Sequence, residues 1–222
     1  MKEISVFDVI GPKMIGPSSS HTAGAVRIAR VVNRMLDEPV RQARLHLYGS
    51  FAMTYRGHGT DRALVAGLLG MDTEDLRIRD AFEYAQRAGL SFSFLPDPEK
   101  KVKDSNTVEI EATSVSGRSV QLTGVSTGGG NFRIDEIGGV QVSFTGEYHT
   151  LIIRQKDQPG IVKHISTCLS DSGINIAFMK LYREEKGKNA YTIVEADEPI
   201  DRTVLEKLRE HPFILDVSLV EP

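Results

Sequence analysis

The chain has 222 residues, of which 40% are hydrophobic and 26% charged, and a formal net charge of -3. That length can bury one or two cores without disulfides, and the balance of charge excludes a disordered chain or a coat for nucleic acid. No run approaches the roughly 18 to 20 apolar residues of a membrane span, and Glu3 stands where a signal peptide is basic, so a cytoplasmic protein is expected.

The predicted elements begin after the polar, glycine-punctuated segment GPKMIGPSSSHTAG. Val26, Ile28, Ala29, Val32, Met35 and Leu36 recur at helical spacing and predict an amphipathic helix with a serine-rich N-terminus. Leu45 and Leu47 alternate with His46 and Tyr48, which predicts a strand running into Gly49. Thr60 is placed to cap a helix through DRALVAGLLG, and Asp72 to cap a second, with Asp75 at its third position and apolar residues reaching Ala88. From Asn106 the pattern changes to short strands, TVEIEAT, SVQLTGVS, NFRIDEI and VQVSFTG, separated by glycine turns. Residues 148–222 then read strand, helix, strand, strand, helix, strand, which is the βαββαβ or ferredoxin-like plan. The expected fold class is therefore α+β, with domains at 1–147 and 148–222.

Two segments carry chemistry. In GPSSSHTAG, Ser18, Ser19 and Ser20 set hydroxyls and unpaired N–H groups at the positive end of a helix, which suits a carboxylate or phosphate. His21 among them can transfer a proton near neutrality. On these residues alone, a serine-capped helix bearing a surface histidine is the simpler account. The second segment adds weight: Gly57, His58 and Gly59 form a flexible turn holding another histidine, and Thr60 and Asp61 begin the next helix. No further ligand stands at metal-site spacing beside either histidine, so zinc is a poor guess. The only cysteine, Cys168, shares helical spacing with Ile161, Ile165 and Leu169, so it reads as a buried core thiol. One thiolate cannot assemble an iron–sulfur cluster.

DQPGIVKHISTCLSDSGINI resembles the opening of the ACT family, small domains that bind amino acids and regulate their metabolism. Gly160 suits a tight strand-to-helix turn, Pro159 the first helical position and Gly173 a helix stop. The resemblance implies Asp157, Gly160, Asn175 and Ile176 as effector contacts at an interface between paired domains; the alternative is a domain that only dimerises. SVFDVIGP, GPSSSHTAG, YGSFA and GHGTD, with VSTGGG at 125–130, resemble the β chain of bacterial iron–sulfur-dependent L-serine dehydratases. Thr127 departs from the aliphatic residue commoner in that stretch. The resemblance implies an L-serine ammonia-lyase, active in complex with an α chain that ligates a [4Fe–4S] cluster, with no cluster on this chain. It makes His21 and His58 candidate catalytic residues, and Ser18, Ser19, Ser20, Thr22, Thr60 and Asp61 candidate contacts to L-serine. Self-association is expected through the ACT domain. The rival reading is a non-catalytic, serine-sensing regulatory module; the absence of a GxGxxG fingerprint argues against a whole dehydrogenase but not against a detached regulator.

Overall fold

A computed structural model describes residues 13–222, so SVFDVIGP lies outside the described residues. The chain forms two compact units that part between Gly138 and Gly139. In the first, a π-helical turn, Ser19–Ala23, runs directly into helix α1 (Gly24–Leu36), and the six apolar positions read from the sequence are all buried. The helix stops at Asp37, whose φ of 50° is left-handed.

Strands β1 (Val40–Tyr48), β2 (Ser91–Asp97), β3 (Asn106–Ser114), β4 (Ser119–Gly128) and β5 (Asn131–Ile137) follow the order β2-β1-β3-β4-β5. Only the β1/β2 pair is parallel. Period-two alternation turns Leu45, Leu47, Ile110, Leu122 and Ile134 into the core, while Arg44 and Glu111 pair on the opposite face at 3.1 Å. Helices α2 (Gly49–Thr54) and α3 (Thr60–Leu68) complete the site-bearing layer. Helix α1 packs unusually close to its neighbours. A Cβ on Gly67 of α3 would lie 2.3 Å from the Val26 carbonyl oxygen, and one on Gly124 of β4 would lie 2.5 Å from Ile28 Cγ2.

Three local expectations are corrected. Thr60 does not cap α3: Gly59, at φ 73°, is the cap, and Thr60 is the first helical residue. Asp72 does not start one long helix. Asp75 accepts the Arg77 N–H and caps a 3-10 turn, Leu76–Asp80, which leads into α4 (Ala81–Arg87), while the Asp72 carboxylate accepts from the adjacent Thr73 N–H at 2.6 Å and pairs with Arg30 at 2.9 Å. Strand β2, in SFSFLPD, was not anticipated; its apolar residues are only half buried and serines interrupt them, so the pattern is weak.

The second unit opens with β6 (Val140–Phe144) and continues with β7 (His149–Lys156), α5 (Ile161–Asp171), β8 (Ile176–Arg183), β9 (Asn189–Ala196), α6 (Arg202–Arg209) and β10 (Ile214–Val220). The last four strands order β10-β7-β9-β8 with all neighbours antiparallel, the ferredoxin-like arrangement expected of βαββαβ. Leu151, Ile153, Ile161, Ile165, Leu169, Val204 and Leu208 fill the space between sheet and helices. Pro159 precedes α5 rather than opening it, because the left-handed Gly160 (φ 94°) makes the turn and caps the helix. Gly173, at φ 70°, lies just beyond the end of α5 as expected. Cys168 belongs to this core, with its thiol 3.6 Å from His164 Nε2, and burial raises the thiol pKa.

Candidate functional site

The serine run folds as a cage around His21. Ser18 caps the π-helical turn by accepting the His21 N–H at 3.3 Å, and its carbonyl accepts the Thr22 N–H at 2.8 Å. Ser20 Oγ lies 3.1 Å and Ser18 Oγ 3.4 Å from His21 Nδ1, with the two hydroxyls 3.4 Å apart. The other ring nitrogen, Nε2, lies 3.1 Å from Ser50 Oγ. His21 is therefore buried, only 8% exposed, with hydroxyls at both nitrogens. It is not the surface histidine that the simpler account of the sequence required.

His58 reaches the same place from the loop between α2 and α3. Its ring lies 4.7 Å from that of His21, nearly perpendicular to it, and Phe51 of α2 covers another side at 5.3 Å. Thr22 Oγ1 donates to the His58 carbonyl oxygen at 3.2 Å and so ties the two segments together. Burial first, and the neighbouring charge of His58 second, lower the His21 pKa below its ordinary value. At neutral pH the imidazole is uncharged and able to accept a proton.

The structure thus brings together Ser18, Ser20, His21, Thr22 and His58. Thr60 stands apart from that set: it is fully buried, with no hydrogen-bond partner for its hydroxyl among the described residues. Asp61, on the first turn of α3, accepts the Arg62 N–H. Burial raises its pKa against the opposing pull of Arg62 and Arg56. Ser19 begins the π-helical turn without a mapped side-chain role. Two participants had no role in the sequence reading, Ser50 and Phe51. The available signal was YGSFA itself, in which a serine follows a glycine that must turn. Gly49 takes φ 56°, and a Cβ there would meet the Ser105 carbonyl oxygen. VSTGGG serves packing: Gly128, Gly129 and Gly130 are all left-handed, and Ser126 fits beneath Gly24, where a Cβ would clash with its hydroxyl.

Among the described residues, no three His, Cys, Asp or Glu side chains are grouped to hold a metal ion. An iron–sulfur cluster does not fit this donor set, since the sequence has one cysteine where such a cluster takes three or four thiolates. No helix among the described residues is long and apolar enough to cross a membrane.

In the second unit, Asp157 accepts from the Gly187 N–H at 3.0 Å and from Arg183 at 3.4 Å. These contacts, the N–H first, hold its carboxyl below the usual range. The Asn175 N–H donates to Glu198. Asp157 and Gly160 follow the C-terminal end of β7, where Lys156 pairs Asn189. Ile176 lies at the other end, since it pairs Ala196 and Ala196 pairs His149. Seven residues of strand, about 23 Å, separate the two ends. A single domain does not bring the four effector candidates together.

Residues 5–103 match the family model described as serine dehydratase beta chain, and residues 149–213 match the ACT domain. A probable L-serine dehydratase beta chain of Bacillus subtilis (strain 168) is 38% identical over 220 residues, 99% of each chain. An L-serine dehydratase beta chain of Peptoniphilus asaccharolyticus is 39% identical over 205 residues, 92% of each. A D-3-phosphoglycerate dehydrogenase of Bacillus subtilis (strain 168) aligns at 27% over 202 residues, 89% of this chain but 37% of that one. With end-to-end relatives of this kind, a buried His21 beside an exposed His58, and an ACT unit, the chain belongs to the L-serine dehydratase beta-chain family.

Proposed function

We propose that this chain is the β subunit of an iron–sulfur-dependent L-serine ammonia-lyase and works in complex with an α chain that ligates the [4Fe–4S] cluster. The observation that carries the reading is the neutral, hydroxyl-clasped His21 beside His58, in a chain collinear with beta chains of L-serine dehydratases. Conversion of L-serine to pyruvate and ammonia begins with loss of the Cα proton and the Cβ hydroxyl, after which the enamine hydrolyses. A base and an acid are needed close together. His21, held uncharged by burial, suits proton acceptance or a hydrogen bond to substrate. Ser18, Ser20 and Thr22 hold that ring and its neighbour in place, and the start of the helix favours a carboxylate. Asp61 remains a candidate contact at the head of α3, while Thr60 beside it is fully buried. Cluster ligation falls to the α chain, because this chain lacks the thiolates. The ACT unit is read as an amino-acid sensor that pairs with a second copy.

The test is anaerobic co-expression with the cognate α chain, followed by a serine-to-pyruvate assay of each chain alone and of the pair. Turnover by the pair only is the expected result. Full turnover by the α chain alone would favour the second reading, a serine-sensing regulatory module. That reading is supported by the alignment over 89% of the chain with part of a phosphoglycerate dehydrogenase.

A further inference from the structure

We propose that Ser50 is a positioning residue for His21, holding it in the Nε2–H tautomer and leaving Nδ1 as the hydrogen-bond acceptor that faces Ser18 and Ser20. The inference rests on the catalytic role proposed above for His21.

The assignment rests on the arrangement of hydroxyls about the ring. Ser18 Oγ accepts the His21 backbone N–H, so its own proton is free to donate. Ser20 Oγ likewise has a proton to give, at 3.1 Å from Nδ1. Nδ1 accepting from one of these hydroxyls places the single proton of a neutral imidazole on Nε2, where Ser50 Oγ is then the acceptor. The partner of Nε2 is Ser50 Oγ at 3.1 Å, and no other is seen among the described residues.

Ser50 is suited to this task because its backbone is fixed on both sides. Its N–H donates to the Ser105 carbonyl oxygen at 2.6 Å, and its carbonyl accepts from Thr54 Oγ1 at 2.8 Å. The preceding Gly49 bridges Asn106 and leaves no room for a side chain. The hydroxyl is thus delivered from β1 and α2 to a ring carried by the turn before α1, 29 residues away in sequence. A side chain that fixes the tautomer of a base from the far ring nitrogen matters to rate even though it does not touch substrate.

The tautomer is read directly in the full chain with 15N-labelled histidine, from the two-bond couplings of the His21 ring near neutral pH. Wild type is expected to show the Nε2–H pattern, Ser50→Ala a mixture or the Nδ1–H form, and Ser50→Thr the wild-type pattern. In the assembled complex Ser50→Ala should lower kcat by about 10-fold or more with KM little changed, and Ser50→Thr should recover most of it. An unchanged Nε2–H pattern in folded Ser50→Ala overturns the proposal, as does unchanged kcat in a background where His21→Ala is severely impaired. If His21→Ala itself retains full turnover, the catalytic reading of His21 fails, and the coupling pattern still decides whether Ser50 sets the tautomer.

Discussion

Replacing His21 with alanine in the assembled complex is expected to lower kcat/KM for serine by about 100-fold or more, the scale on which a general acid–base group acts. Because the ring is buried and hydrogen-bonded at both nitrogens, the same change should also cost stability, on the order of 1 kcal/mol, measured by urea denaturation of the chain alone. The pH dependence has a definite sign. Folding lowers the His21 pKa from 6.5, so the unfolded chain takes up the proton first as pH falls. The stability associated with keeping this ring neutral is complete above pH 6.5 and is lost as pH drops from there through the lower folded value. His21→Ala should flatten that portion of a Tm-against-pH curve. Cys168→Ser offers a contrasting case: the thiol lies in the apolar core of the second unit, so activity of the complex should survive at a cost of about 1 kcal/mol or somewhat more. At this scale the sequence displayed the residue types but not their pairings. SSSHT and GHGTD announced themselves by composition, whereas the contact of His21 with Ser50 joins positions 29 apart and leaves no mark on local spacing.

Helix α1 shows how far periodicity can carry an element. Its apolar stripe is strong, and every residue picked out from it is buried. What the stripe could not reveal is how closely the helix approaches its neighbours, which is set by single glycines on other elements. Gly67→Ala is expected to destabilise the protein by roughly 1 to 3 kcal/mol, because the added methyl meets a backbone oxygen and Ala29 Cβ. Intrinsic helix propensity alone predicts a gain of up to about 1 kcal/mol, so the sign of the change separates packing from propensity. The expectations that failed have local causes. Thr60 looked like a cap because threonine often is one, but the left-handed Gly59 before it already turns the chain. Asp72 was expected to cap with Asp75 inside the helix, but it is the Asp75 carboxylate that reaches the second following N–H and starts the turn. Strand β2 escaped notice because an edge strand with half-buried apolar positions has little alternation to detect.

For the whole molecule, the chain purified alone should be colourless and inactive on serine, checked by iron and acid-labile sulfide analysis; stoichiometric iron would count against it. The second unit has its own core and its own four-stranded sheet, so a fragment of residues 139–222 should fold by itself and pair, with light scattering reporting a dimer. Its βαββαβ order was legible end to end, since each element there is short, regular and bounded by a turn signal. The sites at its two ends were not legible as separate, because nothing in the order of residues says that Asp157 and Ile176 lie at opposite ends of the strands of one sheet. That separation has a consequence for how the enzyme would respond to its surroundings. If the unit pairs as proposed and one small ligand touches both groups across the pair, ligand occupancy and self-association become linked equilibria. Diluting the protein would then raise the ligand concentration needed for half-maximal response, and the sensor would report enzyme abundance together with metabolite level.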